Sequence, residues 1–211
     1  MFLNFYIVIS ISIDCPAVAS LALCLNMNTQ SPSKYVSLST SDCCNQNGVD
    51  CDANNRIYSV VWTHMSLTGF INNTALNLLS ELNNLELYIN NIQGPPPSKV
   101  PPKLMVFNLG SNSLSGSISN LSFPVNLTLL HFNSNSFTGD VPPLPISIER
   151  FRVDDTPVTG KIYLRSPTVF MVNNSELSRI FIDDPSRFSL SAGFNNPGYC
   201  DISGKMYILL K

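Results

Sequence analysis

The stretch LNNLELYINNIQG, residues 82–94, sets the reading of this chain. It alternates apolar and polar residues over a few positions, then closes on Asn and Gly. The same thirteen-residue pattern returns as LMVFNLGSNSLSG at 104–116 and LTLLHFNSNSFTG at 127–139. Weaker copies are IYSVVWTHMSLTG at 57–69 and IERFRVDDTPVTG at 148–160, and a decayed one is PTVFMVNNSELSR at 167–179. Gly69, Gly94, Gly116, Gly139 and Gly160 follow one another at 25, 22, 23 and 21 residues. A period of that size marks a stack of supersecondary units. Each unit buries its apolar side only against its neighbours.

Every position in the unit has a physical role. The fourth and sixth residues fall on one face of a short strand, as Leu85 and Leu87, Phe107 and Leu109, Leu130 and Phe132, Phe151 and Val153 do. They are the expected core. The ninth residue is Asn90, Asn112 or Asn135 in the central copies, an amide able to satisfy backbone groups where the strand turns. Met65, Thr156 and Ser175 stand there in the outer copies, so this asparagine ladder should weaken at both ends. The glycine allows a turn behind the strand.

Positions three, five and seven point away from the core. Position five reads Val61, Glu86, Asn108, His131, Arg152, Met171, and position seven reads Thr63, Tyr88, Gly110, Asn133, Asp154, Asn173. Glu86, Tyr88, Asn108, His131, Asn133, Arg152 and Asp154 are the expected ligand-binding residues. Tyr, His and Arg offer contact area and directional hydrogen bonds. A double substitution of His131 and Arg152 by Ala is expected to weaken binding and leave stability near wild type.

The repeats have relatives. SLTGFI, SLSGSI and SFTGDVP, together with SDCCNQNGVDCDANNRIYSVVW ahead of the first strand, resemble plant-type extracellular leucine-rich repeat proteins. These include polygalacturonase-inhibiting proteins and receptor-like protein ectodomains. The resemblance spans roughly residues 24–200. Gln46 or Asn47 stands where that family's cap carries Trp, and FNNPGYC at 194–200 resembles its C-terminal cap without the usual second cysteine. The resemblance implies an α/β solenoid: a right-handed superhelix of about six repeats, with short parallel strands on the concave face and an irregular or 3-10 convex side. It also implies disulfides Cys24–Cys43 and Cys44–Cys51. The implied partner is an extracellular protein or a cell-wall polysaccharide. The implied role is recognition, with glycosidase inhibition as one form of it and the truncated ectodomain of a membrane-anchored receptor as the alternative.

The expected organisation is a signal peptide at 1–19, a disulfide-bonded N-terminal cap at 20–56, repeats at 57–190, and a degenerate or truncated C-terminal cap at 191–211. The leader rests on the apolar run at residues 5–13 and on Ala17-Val18-Ala19, a small-x-small cleavage pattern. On that reading Cys15 leaves with the leader and Cys200 has no evident partner. The chain is expected to be secreted, or cell-surface as part of a receptor. No second stretch approaches the ~18 apolar residues of a membrane span. Sequons stand at Asn72, Asn120, Asn126 and Asn173, with occupancy expected at Asn72 and Asn120.

Composition narrows the function. Only 12% of the 211 residues are charged and the formal net charge is −2, which argues against a nucleic-acid-binding surface. Adjacent Cys43 and Cys44, with no His before His64, lack zinc-ligand spacing, and no cofactor or metal is expected. The competing class is a parallel β-helix hydrolase of polysaccharide, with Asp154, Asp155, Asp183 and Asp184 as candidate acids. They read instead as loop and strand-surface residues. His64 and His131 fall three repeats apart, about 15 Å at strand spacing, too far to share one reacting group. No enzyme activity is expected. The Pro-rich pieces at 95–103 and 141–145 are expected to stiffen the outer connections.

Overall fold

A computed structural model of the chain describes residues 12–27, 43–165, 169–172, 175–182, 199–200 and 206–209. The repeats stack as a solenoid of parallel strands with little helix. One sheet contains, in order, β1 (Val49–Cys51), β2 (Ile57–Val61), β3 (Asn84–Glu86), β5 (Val106–Asn108), β7 (Leu129–His131), β9 (Arg150–Arg152) and β11 (Val169–Met171). Strand β1 runs antiparallel to β2 and covers its edge. From β2 onward every pairing is parallel, one strand per repeat.

The outer side adds an ordered layer. A second sheet is built from β4 (Gln93–Gly94), β6 (Ser113–Ser117), β8 (Ser136–Asp140), β10 (Val158–Leu164) and β12 (Glu176–Ile182). It is closed by the antiparallel β14 (Met206–Leu209) and β13 (Tyr199–Cys200). Strands therefore stand where irregular or 3-10 segments were expected. Alternation drives them: in β6 and β8, Leu114 and Phe137 point inward between exposed Ser113, Ser115, Ser136 and Thr138.

The core lies between the sheets. Position four supplies Val60, Leu85, Phe107, Leu130 and Phe151, and position six Trp62, Leu87, Leu109, Phe132 and Val153, all buried as the pattern requires. Phe132 meets Phe107 edge-on at 5.2 Å and Phe137 at 5.0 Å, tying inner to outer strands. Each such burial contributes about 1.5–3 kcal/mol. Pro96, Pro97, Pro101 and Pro142 are buried too, so the Pro-rich connections pack onto this core.

The asparagines at position nine join neighbouring repeats. Asn90 donates to the carbonyls of Trp62 and Leu87, both at 2.8 Å, and accepts from the N–H groups of Met65 and Leu67 at 3.0 Å. Asn112 and Asn135 repeat the arrangement one and two turns on. Thr156 and Ser175 each donate only to a carbonyl of their own repeat, Val153 and Val172. The cross-repeat bond is lost there because a hydroxyl is shorter than an amide.

The N-terminal cap corrects one expectation, the partner of Cys43. Residues Cys15–Cys24 form a helix, α1, whose Cys15, Val18, Leu21 and Ala22 are buried. The expected cut after Ala19 falls in the middle of it. Cys43 is bridged to Cys15 (Cα–Cα 5.3 Å), not to Cys24, whereas Cys44–Cys51 is bridged as expected. Helix geometry explains the pairing: nine residues at 1.5 Å rise place the two cysteines of α1 about 14 Å apart. Only the Cys15 end meets the turn Cys43–Asn45. Cys24 is a free, half-buried thiol at the far end. There its carbonyl lies so close to Gly69 (φ 87°) that a Cβ on that residue would approach it to 2.1 Å. Asp14, just before α1, is buried and accepts two hydrogen bonds from Arg56, at 3.0 Å each, and one from the Ile57 N–H at 2.9 Å.

Candidate functional site

The strand register assembles the expected surface. Val61 pairs with Glu86, Glu86 with Asn108, Asn108 with His131, His131 with Arg152, and Arg152 with Met171. Position five is therefore one continuous row across six strands of the first sheet. Its chemistry changes along the row, from the carboxylate of Glu86 through Asn108 and His131 to the guanidinium of Arg152.

Several of these side chains are more enclosed than a free surface row would be. Asn108, Asn133 and Asp154 are only 8, 7 and 7% exposed. Asn108 accepts from the Gly110 N–H at 3.2 Å, and Asn133 contacts the Ser134 hydroxyl at 3.4 Å. Arg152 grips Asp154 with two bonds, Nε to Oδ1 at 3.1 Å and Nη2 to Oδ2 at 2.8 Å. Truncating Arg152 would leave a buried carboxylate without its counter-ion, which is costly. Arg152→Ala is accordingly expected to lower stability, whereas the sequence pattern alone leads to an expectation of little change. Asn173 lies outside the described residues.

Two polar atoms on this face are shielded and have no hydrogen-bond partner: His131 Nε2 and Asn84 Oδ1. The Asn84 amide donates weakly to Ser59 Oγ (3.3 Å) and Glu86 Oε1 (3.4 Å). Burial, with Arg152 and Arg150 nearby, pulls the His131 pKa down to about 4 against the opposing pull of Asp154. The imidazole is neutral at physiological pH. Shielded polar groups left unpaired are few in folded proteins. Asn84, at position three, was not among the residues expected from sequence.

A second feature lies where β2 and β3 run into their turns. Position eight is left-handed in five repeats: His64 (φ 56°), Ile89 (φ 54°), Ser111 (φ 53°), Ser134 (φ 52°) and Asp155 (φ 55°). Such a conformation costs a non-glycine residue on the order of 1–3 kcal/mol, and most for a β-branched one. Ile89 is β-branched and is also 41% exposed. Beside it the His64 ring meets Tyr88 edge-on at 5.0 Å. His64, Ser66, Ile89, Asn90 and Asn91 line a shallow, open depression on the surface. The sequence signal was available: Ile89 is the one aliphatic residue at a position otherwise held by His, Ser, Asp and Asn.

Two of the candidate acids lie among the described residues. Asp154 is bound by Arg152, Asp155 occupies a left-handed turn, and Asp183 and Asp184 lie outside the described residues. His64 and His131 are separated by β3 and β5. Among the described residues no cluster of His, Cys, Asp and Glu could hold a metal, and no helix is long and apolar enough to cross a membrane.

The sequons differ in access. Asn120 and Asn126 are exposed. Asn72 caps helix α2 (Asn73–Leu78), its Oδ1 accepting from the Ala75 N–H at 3.1 Å. Its Nδ2, the atom a glycan would occupy, donates to Ser20 Oγ at 3.1 Å and faces Cys24 Sγ at 3.6 Å. Asn72 is therefore less open than Asn120 and Asn126.

A stacked solenoid with a registered row of mixed chemistry is a scaffold for binding along an extended surface. No family model matches the chain. It is 32% identical over 111 residues to an inactive leucine-rich repeat receptor-like serine/threonine-protein kinase of Arabidopsis thaliana, a match covering 53% of this chain and 14% of that protein. The structure superposes on the ectodomain of the Arabidopsis receptor kinase SOBIR1 with a TM-score of 0.62, at 22% identity over 78% of this chain and 94% of that one. It also superposes on the Arabidopsis BIR3–SERK2 complex with a TM-score of 0.53, at 25% identity over 69% and 83%. The fold is a leucine-rich repeat solenoid like that of these plant ectodomains, and half of the chain is similar in sequence to plant receptor-like kinases of which it spans only a small part.

Proposed function

We propose that the outward face of the first sheet recognises an extracellular protein or peptide, and that the chain serves as a binding module, secreted or at the cell surface, not as an enzyme. The observation that carries this is the unbroken row Val61, Glu86, Asn108, His131, Arg152, Met171. A peptide laid across the strands would meet carboxylate, amide, imidazole and guanidinium groups in a fixed order along one extended surface. The similar BIR3–SERK2 structure is itself a complex between proteins. A receptor-ectodomain role accords with the receptor-kinase relative, and inhibition of a secreted glycosidase is the other form such recognition takes.

A displayed random-peptide library, selected on the secreted chain, supplies the test. Selected peptides should lose about tenfold or more in affinity on Glu86→Ala, Tyr88→Ala or His131→Gln, the scale of a hot-spot truncation. Ser115→Ala and Thr138→Ala on the second sheet should leave affinity unchanged. The reverse pattern moves the site to the other side of the solenoid. Arrayed cell-wall polysaccharides and an assay of fungal polygalacturonase activity form the competing arms. A response there, with no peptide selected, would overturn the reading.

A further inference from the structure

We propose that Asn126 carries an N-linked glycan whose first sugars lie over the apolar ridge made by Val125 and Ile146. This rests on the extracellular reading above, since the sugar is attached along the secretory route. It goes beyond that reading by closing one edge of the solenoid to protein partners.

Matching turns build the ridge. In three consecutive repeats a backbone N–H donates to a proline carbonyl three residues back: Leu104 to Pro101 at 3.1 Å, Leu127 to Pro124 at 3.0 Å and Ile148 to Pro145 at 3.1 Å. The central pairs of these turns are Pro102-Lys103, Val125-Asn126 and Ile146-Ser147. Ser147 Oγ lies 2.7 Å from the carbonyl oxygens of both Val125 and Leu127, which holds the last two turns side by side. Their apolar tips, Val125 and Ile146, are 78% and 73% exposed. One exposed aliphatic residue needs no explanation. These two occupy the same turn position in neighbouring repeats, about 5 Å apart at strand spacing. Beyond Ile146 the apolar surface continues into a cleft lined by Leu144 and Tyr163.

The sequon Asn126-Leu127-Thr128 puts the cover on the same turn. Asn126 is exposed and directly follows Val125, and its amide has no hydrogen-bond partner among the described residues. Asn72, by contrast, is engaged with Ser20 and the Ala75 N–H. Asn120 is open too, but its exposed neighbours are Ser119 and Ser122, so a sugar there has no apolar surface to cover. In the transfer, Asn126 Nδ2 bonds to the anomeric carbon of an oligosaccharide donated as its lipid pyrophosphate. The carbon–oxygen bond to pyrophosphate breaks, the lipid pyrophosphate leaves, and the amide gives up one proton. The ring face and acetyl methyl of an N-acetylhexosamine then turn C–H groups toward Val125 and Ile146, while the hydroxyls stay in water.

Glycopeptide mapping of the chain made in a eukaryotic secretory host supplies the test. Asn126 should carry sugar. Proton NMR of that glycoprotein should show cross-relaxation between the first N-acetylglucosamine and the methyl groups of Val125 and Ile146. Asn126→Gln and Thr128→Val each remove the sequon by a different residue. Both should sediment as larger species than wild type does at the same concentration, because the ridge is bared. Asn120→Gln should sediment as wild type. Adding Val125→Ser and Ile146→Ser to either sugar-free variant should restore the wild-type sedimentation, which separates a bared ridge from misfolding. No cross-relaxation to either methyl-bearing residue, or sugar-free variants that sediment as wild type, would overturn the inference. Sugar at Asn120 but not at Asn126 sinks it and leaves the extracellular reading standing. A chain retained in the cell with sugar at neither asparagine sinks both.

Discussion

His131 shows how one side chain couples the recognition face to acid. Its pKa falls from the ordinary 6.5 to about 4 in the folded chain. The unfolded chain therefore takes up this proton at a higher pH than the folded one does. Between those two values the unfolded state binds more protons, so stability rises with pH there. The contribution is fully present above about pH 6.5 and is lost as pH falls through 4. Arg152 and Arg150 repel the imidazolium and Asp154 attracts it, so the sign rests on burial together with the two arginines. We expect the His131 ring protons to titrate near pH 4 by NMR. In His131→Gln the denaturation midpoint should vary less between pH 6.5 and 4 than in wild type. A His131 midpoint near 6.5 would refute the enclosed geometry.

Helix α1 takes in the Ala17-Val18-Ala19 stretch that also fits a leader's cleavage pattern, and the overlap is physical. A leader's apolar core and a buried cap helix are both short apolar runs, and both tolerate Ala17-Val18-Ala19. Asp14 ties the start of the helix to the first repeat: a carboxylate needs a partner once buried, and Arg56 supplies it 42 residues on. Sequence spacing also left the cysteine pairing to resemblance, because only the helix reveals that Cys15 and Cys24 lie at opposite ends. The repeat strands were legible because two independent signals, alternation and the spacing of Asn and Gly, coincide at each of them. The second sheet was not, because its strands lie in turn-rich stretches of Ser, Thr and Gly with one inward apolar residue in view. Cys15→Ser should cost about 2–5 kcal/mol of stability, as loss of a native disulfide does. Cys24→Ser should stay within about 0.5 kcal/mol, as substitutions without such a bond usually do. Chemical denaturation of both variants, with non-reducing peptide maps, checks this. A Cys24–Cys43 peptide in wild type would reverse it.

In the first sheet from β2 onward, and in the second from β4 to β12, each strand touches only the repeats before and after it. Cooperation in such a chain passes hand to hand, as in a zip. Both disulfides of the described residues grip one end, where β1 also covers the sheet edge. Toward the other end the fasteners thin out: Asn135 still spans two repeats, while Thr156 and Ser175 hold only their own. Opening should therefore start beyond Asn135 and run backward toward the cap. Amide hydrogen exchange should then fall stepwise in rate from β9 to β5 and β3. A uniform rate across those strands would mean that the solenoid melts as one block. A ligand spanning Glu86 and Arg152 would stitch the loosely fastened turns to the firmly fastened ones. Its arrival would then be legible as slowed exchange at β9, a mechanical signal delivered to the far end of the molecule.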